Sequence, residues 1–427
     1  MTTLVVRNSE IDGSAAVPGD KSISHRALML GAAAEGTTTI RNLGPGDDVS
    51  STIACLEAYG VAVRRTGTEA EIRSGGIRSW NAPSRALDCG NSGTTLRILT
   101  GFAAHHTFGT TLDGDASLRR RPMDRLVAPL GALGARVQTT AGRPPVLVEG
   151  GGLSGADVQL AIASAQVKSA TIFAALGASG TTSVTEPSAS RDHTERMLNA
   201  LGAQITRDGL RVVVEPFDPP AFEIDVPGDP SSAAFLVAAG ILAGRVHLEG
   251  VCLNPTRIEF LVSLARMGAS VRWETDDDNM GEPVGTIDVE RSGLTGIGIE
   301  GPLVPAVLDE LPLIAVLATQ ASGTTTVAGA TELRAKETDR IAAMVTALRQ
   351  LGAEVEELPD GFIVTGPTPL IGTKVSAEGD HRIAMALAVA GLAAQGETLV
   401  EGYEAAAVSW PAFEQVLATL GGEVELR

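Results

Sequence analysis

The chain repeats one pattern six times, and this repetition limits its possible folds more than any other feature of its 427 residues. A tag opened by glycine and closed by an aliphatic residue occurs as GTTTI at Gly36, GTTL at Gly109, GTTSV at Gly180, GRVHL at Gly244, GTTTV at Gly323 and GETLV at Gly396, at intervals of 64 to 79 residues. A second tag follows each of them 22 to 29 residues later: YGVAV, LGARV, LGAQI, MGASV, LGAEV and LGGEV, with its glycine at Gly60, Gly134, Gly202, Gly268, Gly352 and Gly421. Ahead of the first tags run alanine-rich segments such as ALMLGAAA, AAFLVAAGILA, LIAVLA and IAMALAVAGLAA, which are apolar nearly all round. A helix without a polar face belongs in an interior. Between the tags lie amphipathic segments, clearest in SRDHTERMLNALG and KETDRIAAMVTALRQLG. The predicted unit is therefore a buried helix, a strand, an outer helix and a strand, with further strands in the linking segments, and six of them make an α/β protein.

Composition narrows the function. A chain of this length has room for two or three domains, and 44% hydrophobic residues supply ample core. Its formal charge of −18 argues against nucleic-acid or anionic-membrane partners, whose phosphates attract accumulated Lys and Arg. Aromatic residues at 3% leave few surfaces on which bases could stack. Cys55, Cys89 and Cys252 form no C-x-x-C pair and read as small buried hydrophobes. No His-x-x-x-His or comparable ligand spacing occurs, so no metal site is expected. The first residues, MTTLVVRNSEIDG, lack a secretory core, and no apolar run approaches the ~18 residues of a membrane span. A cytoplasmic location is expected.

Polar residues gather where the apolar segments begin: KSISHR, GNSGTT, SAQVKS, GDPSSA, LDELP and GDHR. A helix start offers free N–H groups and about half a positive charge, so several of them could bind anions without a basic composition. The stretch PGDKSISHR has two readings. It is not a nucleoside-triphosphate loop, because Asp20 separates Gly19 from Lys21. It can still be a capped helix start, an anion cradle, or both. A sparse basic set stands at or near the unit junctions: Lys21, Arg26, Arg97, Arg121, Arg191, Lys336, Arg340 and Arg382. Singly each reads as a solvated surface charge, and only their shared placement suggests a site. Lys336 and Arg340 are predicted to share one face of an outer helix, with Glu337 turned by about 100°. Two acids stand out. Asp309 is either a helix cap or a proton acceptor, and Glu337 has its charged form favoured by Lys336 and Arg340. His25 and His381 both follow helix starts, and no Gly-x-Ser-x-Gly elbow is present.

Taken in order, PGDKSISHRAL, LDCGNSGTTLRIL, LRRRPMDRL, SAQVKSA, SRDHTE, LDELP, LRAKETDR and EGDHRIAMA resemble the 5-enolpyruvylshikimate-3-phosphate synthase family over essentially the whole chain. The resemblance implies a two-lobed inside-out α/β barrel, each lobe built of three repeats with buried helices and outer sheets. It implies an N-terminal lobe at 20–227 and a C-terminal lobe at 1–19 and 228–427, with the active site in the cleft between them. The implied reaction joins phosphoenolpyruvate to the 5-hydroxyl of shikimate 3-phosphate and releases inorganic phosphate by addition and elimination. In this likeness Lys21, Ser22, Arg26, Ser164, Ala165, Gln166, Arg191, Asp309 and Lys336 hold shikimate 3-phosphate. Lys21, Gly93, Thr94, Arg121, Gln166, Glu337, Arg340, His381 and Arg382 hold phosphoenolpyruvate, and the catalytic residues are Lys21, Asp309 and Glu337. Arg forks onto carboxylate or phosphate, which suits three of them to one small polyanion. No cofactor and no metal are implied, and a monomer is expected.

The chain departs from the resemblance at three places. Ala165 stands where many members carry a second Ser, Ile98 where a Pro often follows the Arg, and Val408 where many carry a Lys, which removes one cation. SAQVKSA and SRDHTE resemble the glyphosate-tolerant subclass, whereas Gly93 resembles the sensitive one. Two alternatives remain. UDP-N-acetylglucosamine enolpyruvyl transferase shares fold and chemistry but uses a loop Cys where this chain has Ala116 in GDASLRRRP. A noncatalytic repeat protein would use its polar helix starts only as caps.

Overall fold

The computed structural model describes residues 2–427, which divide by their contacts into two units. The N-unit is Gly19–Val226 with the short stretch Asp278–Glu282, and the C-unit comprises the segment ending at Pro18, Pro227–Asp277 and Pro283–Arg427. Among the described residues three sheets belong to each unit. In the N-unit they are built on Glu35–Arg41, Thr110–Asp113 and Thr182–Thr185, and in the C-unit on Gly244–Cys252, Ala321–Val327 and Glu397–Glu401. These six strands are the ones the first tags mark. Each has a parallel neighbour on one side and an antiparallel neighbour on the other. The repetition extends to the chain start. Thr3–Arg7 lies between Glu397–Glu401 and Val424–Leu426, supplying the hairpin strand that the sixth copy would otherwise lack.

Among the described residues six helices are apolar and buried: Lys21–Ala33, Gly93–Ala103 and Ala165–Ala175 in the N-unit, and Pro230–Ala243, Leu311–Ala318 and His381–Ala393 in the C-unit. Small residues let them pack closely. At Gly101 a Cβ would come 2.2 Å from the carbonyl oxygen of Ala170, so the Gly93 and Ala165 helices touch backbone to backbone. Five of the six begin on a side-chain cap: Asp20 accepts from the Ile23 N–H, Ser92 from Thr95, Ser164 from Val167, Asp229 from Ser231 and Asp380 from Arg382. The sixth, Leu311–Ala318, has Pro in its first turn and no side-chain cap, so Asp309 is not a cap but stands in the turn before it.

The second tag is a helix stop. Each outer helix ends two residues before its tag glycine, and all six of these glycines have φ between +85° and +104°. Only glycine adopts that conformation without a Cβ penalty, and the turn satisfies the last helical carbonyls. One expectation fails here. Lys336 and Glu337 are not on a helix with Arg340, because Asp339 caps Ala342 and starts the helix at Arg340–Gln350, leaving Lys336 extended after the Thr331–Ala335 turn. Glu337 reaches Arg340 from the loop.

Two glycines three residues apart separate backbone cost from packing cost. A Cβ meets nothing within 4 Å at either Gly131, inside Val127–Ala132, or Gly134, at φ +101°. Gly131→Ala is expected to stabilise by about 0.5–1 kcal/mol, and Gly134→Ala to destabilise by about 1–2 kcal/mol. Chemical denaturation of the two variants checks the opposite signs.

Candidate active site

In the N-unit Arg121 and Arg191 lie in connecting segments, and most of the other residues singled out in the sequence stand at or near the starts of the three buried helices. Lys21 opens the first, and its Nζ lies 3.0 Å from Asp48 Oδ2 on the outer helix Asp47–Ala58. Ser22 follows, with its carbonyl accepting from Arg26 Nη1 at 2.8 Å. Arg26 is buried and also donates from Nε to Thr194 Oγ1 at 2.7 Å and from Nη2 to Ser169 Oγ at 2.8 Å. It thus ties the first helix to the third and to the outer helix His193–Ala200, and of the five N–H donors of a guanidinium, two are not used in these bonds. Burial pushes its pKa down to about 10, with Arg191 adding to the effect while Glu195 and Asp20 oppose it. Arg191 is half-buried just before that outer helix.

His25 lies beside these groups and is a core residue. Its Nδ1 is 2.7 Å from Thr52 Oγ1, and burial lowers its pKa to about 3, so the ring is neutral. The chain continues from Thr52 to Thr95 at 2.7 Å and from Thr95 to Ser92 at 2.7 Å, locking the first and second helix starts together.

At the second helix start, Gly93 has two guanidiniums against its Cα. A Cβ there would lie 2.8 Å from Arg97 Nη1 and 3.4 Å from Arg121 Nη1. Arg97 donates to Gln166 Oε1 at 2.7 Å, and Gln166 Nε2 donates to Thr94 Oγ1 at 3.0 Å, so the second and third helix starts share one amide. Arg121 donates to Asn91 Oδ1, which in turn is oriented by Asp115. Ser164 caps the third helix and Ala165 opens it without a hydroxyl. The cluster brings together Gly93, Thr94, Arg121 and Gln166, and adds Asn91 and Arg97. Asn91 was visible only as part of GNSGTT, and Asp48 had no sequence signal. Ala116 lies in the turn before Leu118–Arg120, and the three cysteines are buried elsewhere in the sequence.

In the C-unit the charges converge on Asp309. Its Oδ1 is 3.7 Å from Lys336 Nζ and 3.6 Å from Arg340 Nη1, and its Oδ2 is 3.7 Å from Arg382 Nη2. Arg382 Nη1 donates to the Asp309 carbonyl at 3.0 Å. Glu337 Oε2 accepts from Arg340 Nη2 at 2.7 Å. Arg340 is only 2% exposed and is held by Asp380, through Nε at 2.8 Å and Nη2 at 3.3 Å. Burial alone would depress its pKa, but Asp380, Glu337 and Asp309 outweigh it and raise it. Its Nη1 has no hydrogen-bond acceptor among the described residues. His381 is the first residue of its helix and is buried with Arg382. Behind Arg382, Glu310 accepts from Ser231 Oγ at 2.5 Å, and Arg257 donates to that hydroxyl at 2.9 Å and to Asp229 at 3.2 Å. Val408 sits at the end of the turn Tyr403–Val408 and brings no charge.

Asp380 carries a pH dependence. Burial would raise its pKa, but Arg340 holds it below the ordinary 3.8. The folded state then binds this proton more weakly than the unfolded one, so the stabilisation is complete above about pH 4 and fades as the pH falls through the lower folded value. Asp380→Asn keeps a capping side chain but leaves Arg340 buried without its carboxylate. It is expected to cost about 3–5 kcal/mol at pH 7, a penalty that shrinks below about pH 4 in melts across the acid range.

The sequence and the architecture have counterparts. The EPSP synthase (3-phosphoshikimate 1-carboxyvinyltransferase) family model matches residues 5–417. The chain is 45% identical over 421 residues to a 3-phosphoshikimate 1-carboxyvinyltransferase of Brevibacillus brevis, covering 97% of this chain and 99% of that protein. It is 46% identical over 425 residues to one of Carboxydothermus hydrogenoformans, covering 98% and 99%. A solved EPSP synthase structure from Acinetobacter baumannii superposes with a TM-score of 0.90 at 38% identity, covering 100% of both chains. Matched from end to end in sequence and in architecture, this chain belongs to the EPSP synthase family.

Proposed function

We infer that the protein transfers the enolpyruvyl group of phosphoenolpyruvate to the 5-hydroxyl of shikimate 3-phosphate, and that the residues described above divide that work by unit. The observation that carries the assignment of roles is Asp309, ringed by three cations at 3.6–3.7 Å with Glu337 hydrogen-bonded to one of them. Both substrates are multiply anionic, and their mutual repulsion must be offset before carbon and oxygen can meet. In the N-unit, Ser22, Arg26, Ser164, Gln166 and Arg191 hold shikimate 3-phosphate, with backbone N–H groups beside Ala165 assisting. Gly93, Thr94 and Arg121, with Gln166, hold phosphoenolpyruvate, and Lys21 meets both substrates. In the C-unit, Arg340, His381 and Arg382 hold phosphoenolpyruvate and Lys336 the acceptor.

The chemistry then needs two proton transfers in each half-reaction, one of them at C3, which gains a proton in the addition and loses one in the elimination. Asp309 takes the proton of the 5-hydroxyl as its oxygen attacks C2 of phosphoenolpyruvate, while Glu337 delivers a proton to C3, which becomes a methyl group. In the second half Glu337 removes a methyl proton, the double bond re-forms, and the C2–O bond to phosphate breaks. Lys21, held on Asp48, donates a proton to the departing phosphate. Phosphoenolpyruvate brings its own leaving group, so no cofactor is required. Ala116, in place of a loop Cys, disfavours the UDP-sugar acceptor. Differing polar groups at each helix start disfavour a scaffold that binds without catalysis. A monomer fits the scattered exposed apolar side chains, Ile162, Leu210, Ile371 and Leu426.

Turnover in D2O tests the roles. The methyl group formed at C3 carries a solvent deuteron into the product, so wild-type product is expected to hold deuterium in its vinyl group. Glu337→Gln is expected to slow both turnover and deuterium incorporation by about 10²–10⁴-fold, and Asp309→Asn to slow turnover comparably. Product without deuterium, or variants that turn over at the wild-type rate, would contradict the assignment.

A further inference from the structure

One buried group of charges in the N-unit lies outside the residues assigned above. Lys168, on the helix Ala165–Ala175, has a side chain with no exposure, and its Nζ stands 2.7 Å from Glu186 Oε1 and 2.7 Å from Glu195 Oε1. Both carboxylates are themselves nearly or fully buried. Glu186 follows the strand Thr182–Thr185, and Glu195 is in the first turn of the helix His193–Ala200. The stretch between strand and helix, 187–192, carries Arg191. Lys168 therefore grips this stretch at both ends. Ser190 adds a third tie from within it by donating to Glu186 Oε2.

Three charges taken out of water are a poor way to gain stability, since apolar side chains of the same volume commonly do as well or better. They are a good way to fix a position, because an ammonium in a low-dielectric site tolerates little displacement of its partners. Neither oxygen of Glu195 has a hydrogen-bond donor of ordinary geometry among the described residues, so its place depends on the charge of Lys168 and the field of Arg26. The residues beside this pair carry the effect onward. Thr194, next to Glu195, and Ser169, next to Lys168, hydrogen-bond to each other at 2.6 Å and each accepts from Arg26.

We propose that Lys168 is a positioning residue for the acceptor. By clamping Glu186 and Glu195 it sets where Arg191 and Arg26 stand relative to the helix start at Ser164 and Gln166, and so fixes the affinity for shikimate 3-phosphate. Being fully buried, it does this without touching the ligand. The proposal rests on the assignment of Arg26 and Arg191 to the acceptor and deepens it.

Steady-state kinetics with both substrates varied provide the test, on Lys168→Met, on Lys168→Met/Glu186→Gln and on Arg191→Ala. Lys168→Met is expected to raise the KM for shikimate 3-phosphate about tenfold or more, with kcat and the KM for phosphoenolpyruvate within about twofold of wild type. It also leaves two buried carboxylates without the ammonium between them, so its melting temperature falls. The double variant removes one charge of each sign. It is expected to recover most of the melting temperature while keeping the raised KM, which a purely structural role would not produce. A wild-type KM in either folded Lys168 variant, or recovery of KM together with stability in the double variant, would overturn the proposal. Arg191→Ala separates the layers: a raised KM there with an unchanged one in the Lys168 variants sinks this proposal alone, whereas an unchanged KM in Arg191→Ala removes the assignment beneath it.

Discussion

Burying a helix on every side, as at Pro230–Ala243 where each residue after the first is out of water, leaves the chain few places for polar groups other than the helix ends. The first turn has unsatisfied N–H groups that must find acceptors in any case. Six buried helices thus gather caps and many of the polar side chains described above at six helix starts, while Arg121, Arg191, Lys336 and Glu337 stand in turns and loops. Some of the capping side chains do two jobs. Asp380 caps its helix at the Arg382 N–H and also holds the guanidinium of Arg340, and Ser92 caps its helix while ending a hydroxyl chain that starts at His25. An acidic protein can handle acidic substrates because the positive potential is local, assembled from helix starts and a few buried Arg, rather than spread over the surface.

Neutralisation inside the protein is equally local. Around Asp309 the cations Lys336, Arg340 and Arg382 face the carboxylates of Asp309, Glu337, Glu310 and Asp380. Such a cluster is not a simple basic pocket. Arg340 is fixed by Asp380 from behind, so that its orientation does not depend on a ligand, and catalysis by preorganised charge requires that kind of support. Lys21 on Asp48 and Arg121 on Asn91 follow the same rule in the N-unit, each basic group having a carboxylate or amide behind it. Lys168 between its two glutamates extends that rule one layer deeper.

Much of this was legible in the sequence because it repeats. The tags marked the six central strands and the six helix stops, and the latter are readable because a left-handed turn admits glycine and little else. The helix starts were legible as polar punctuation in apolar runs. What spacing could not show was which group meets which. Asp48 with Lys21, Gln166 with Arg97 and Asn91 with Arg121 are 27, 69 and 30 residues apart, and only the fold brings them together. Helical spacing misled at Lys336, where the cap at Asp339 starts the helix later than periodicity suggested. Nor could it show that His25 is a neutral core residue, since that follows from complete burial.

The most direct test of the whole account is phosphate release from phosphoenolpyruvate by the purified protein, measured with shikimate 3-phosphate and separately with UDP-N-acetylglucosamine. Release with shikimate 3-phosphate and none with the UDP-sugar is the predicted result. Release with the UDP-sugar, or with neither acceptor, would contradict it.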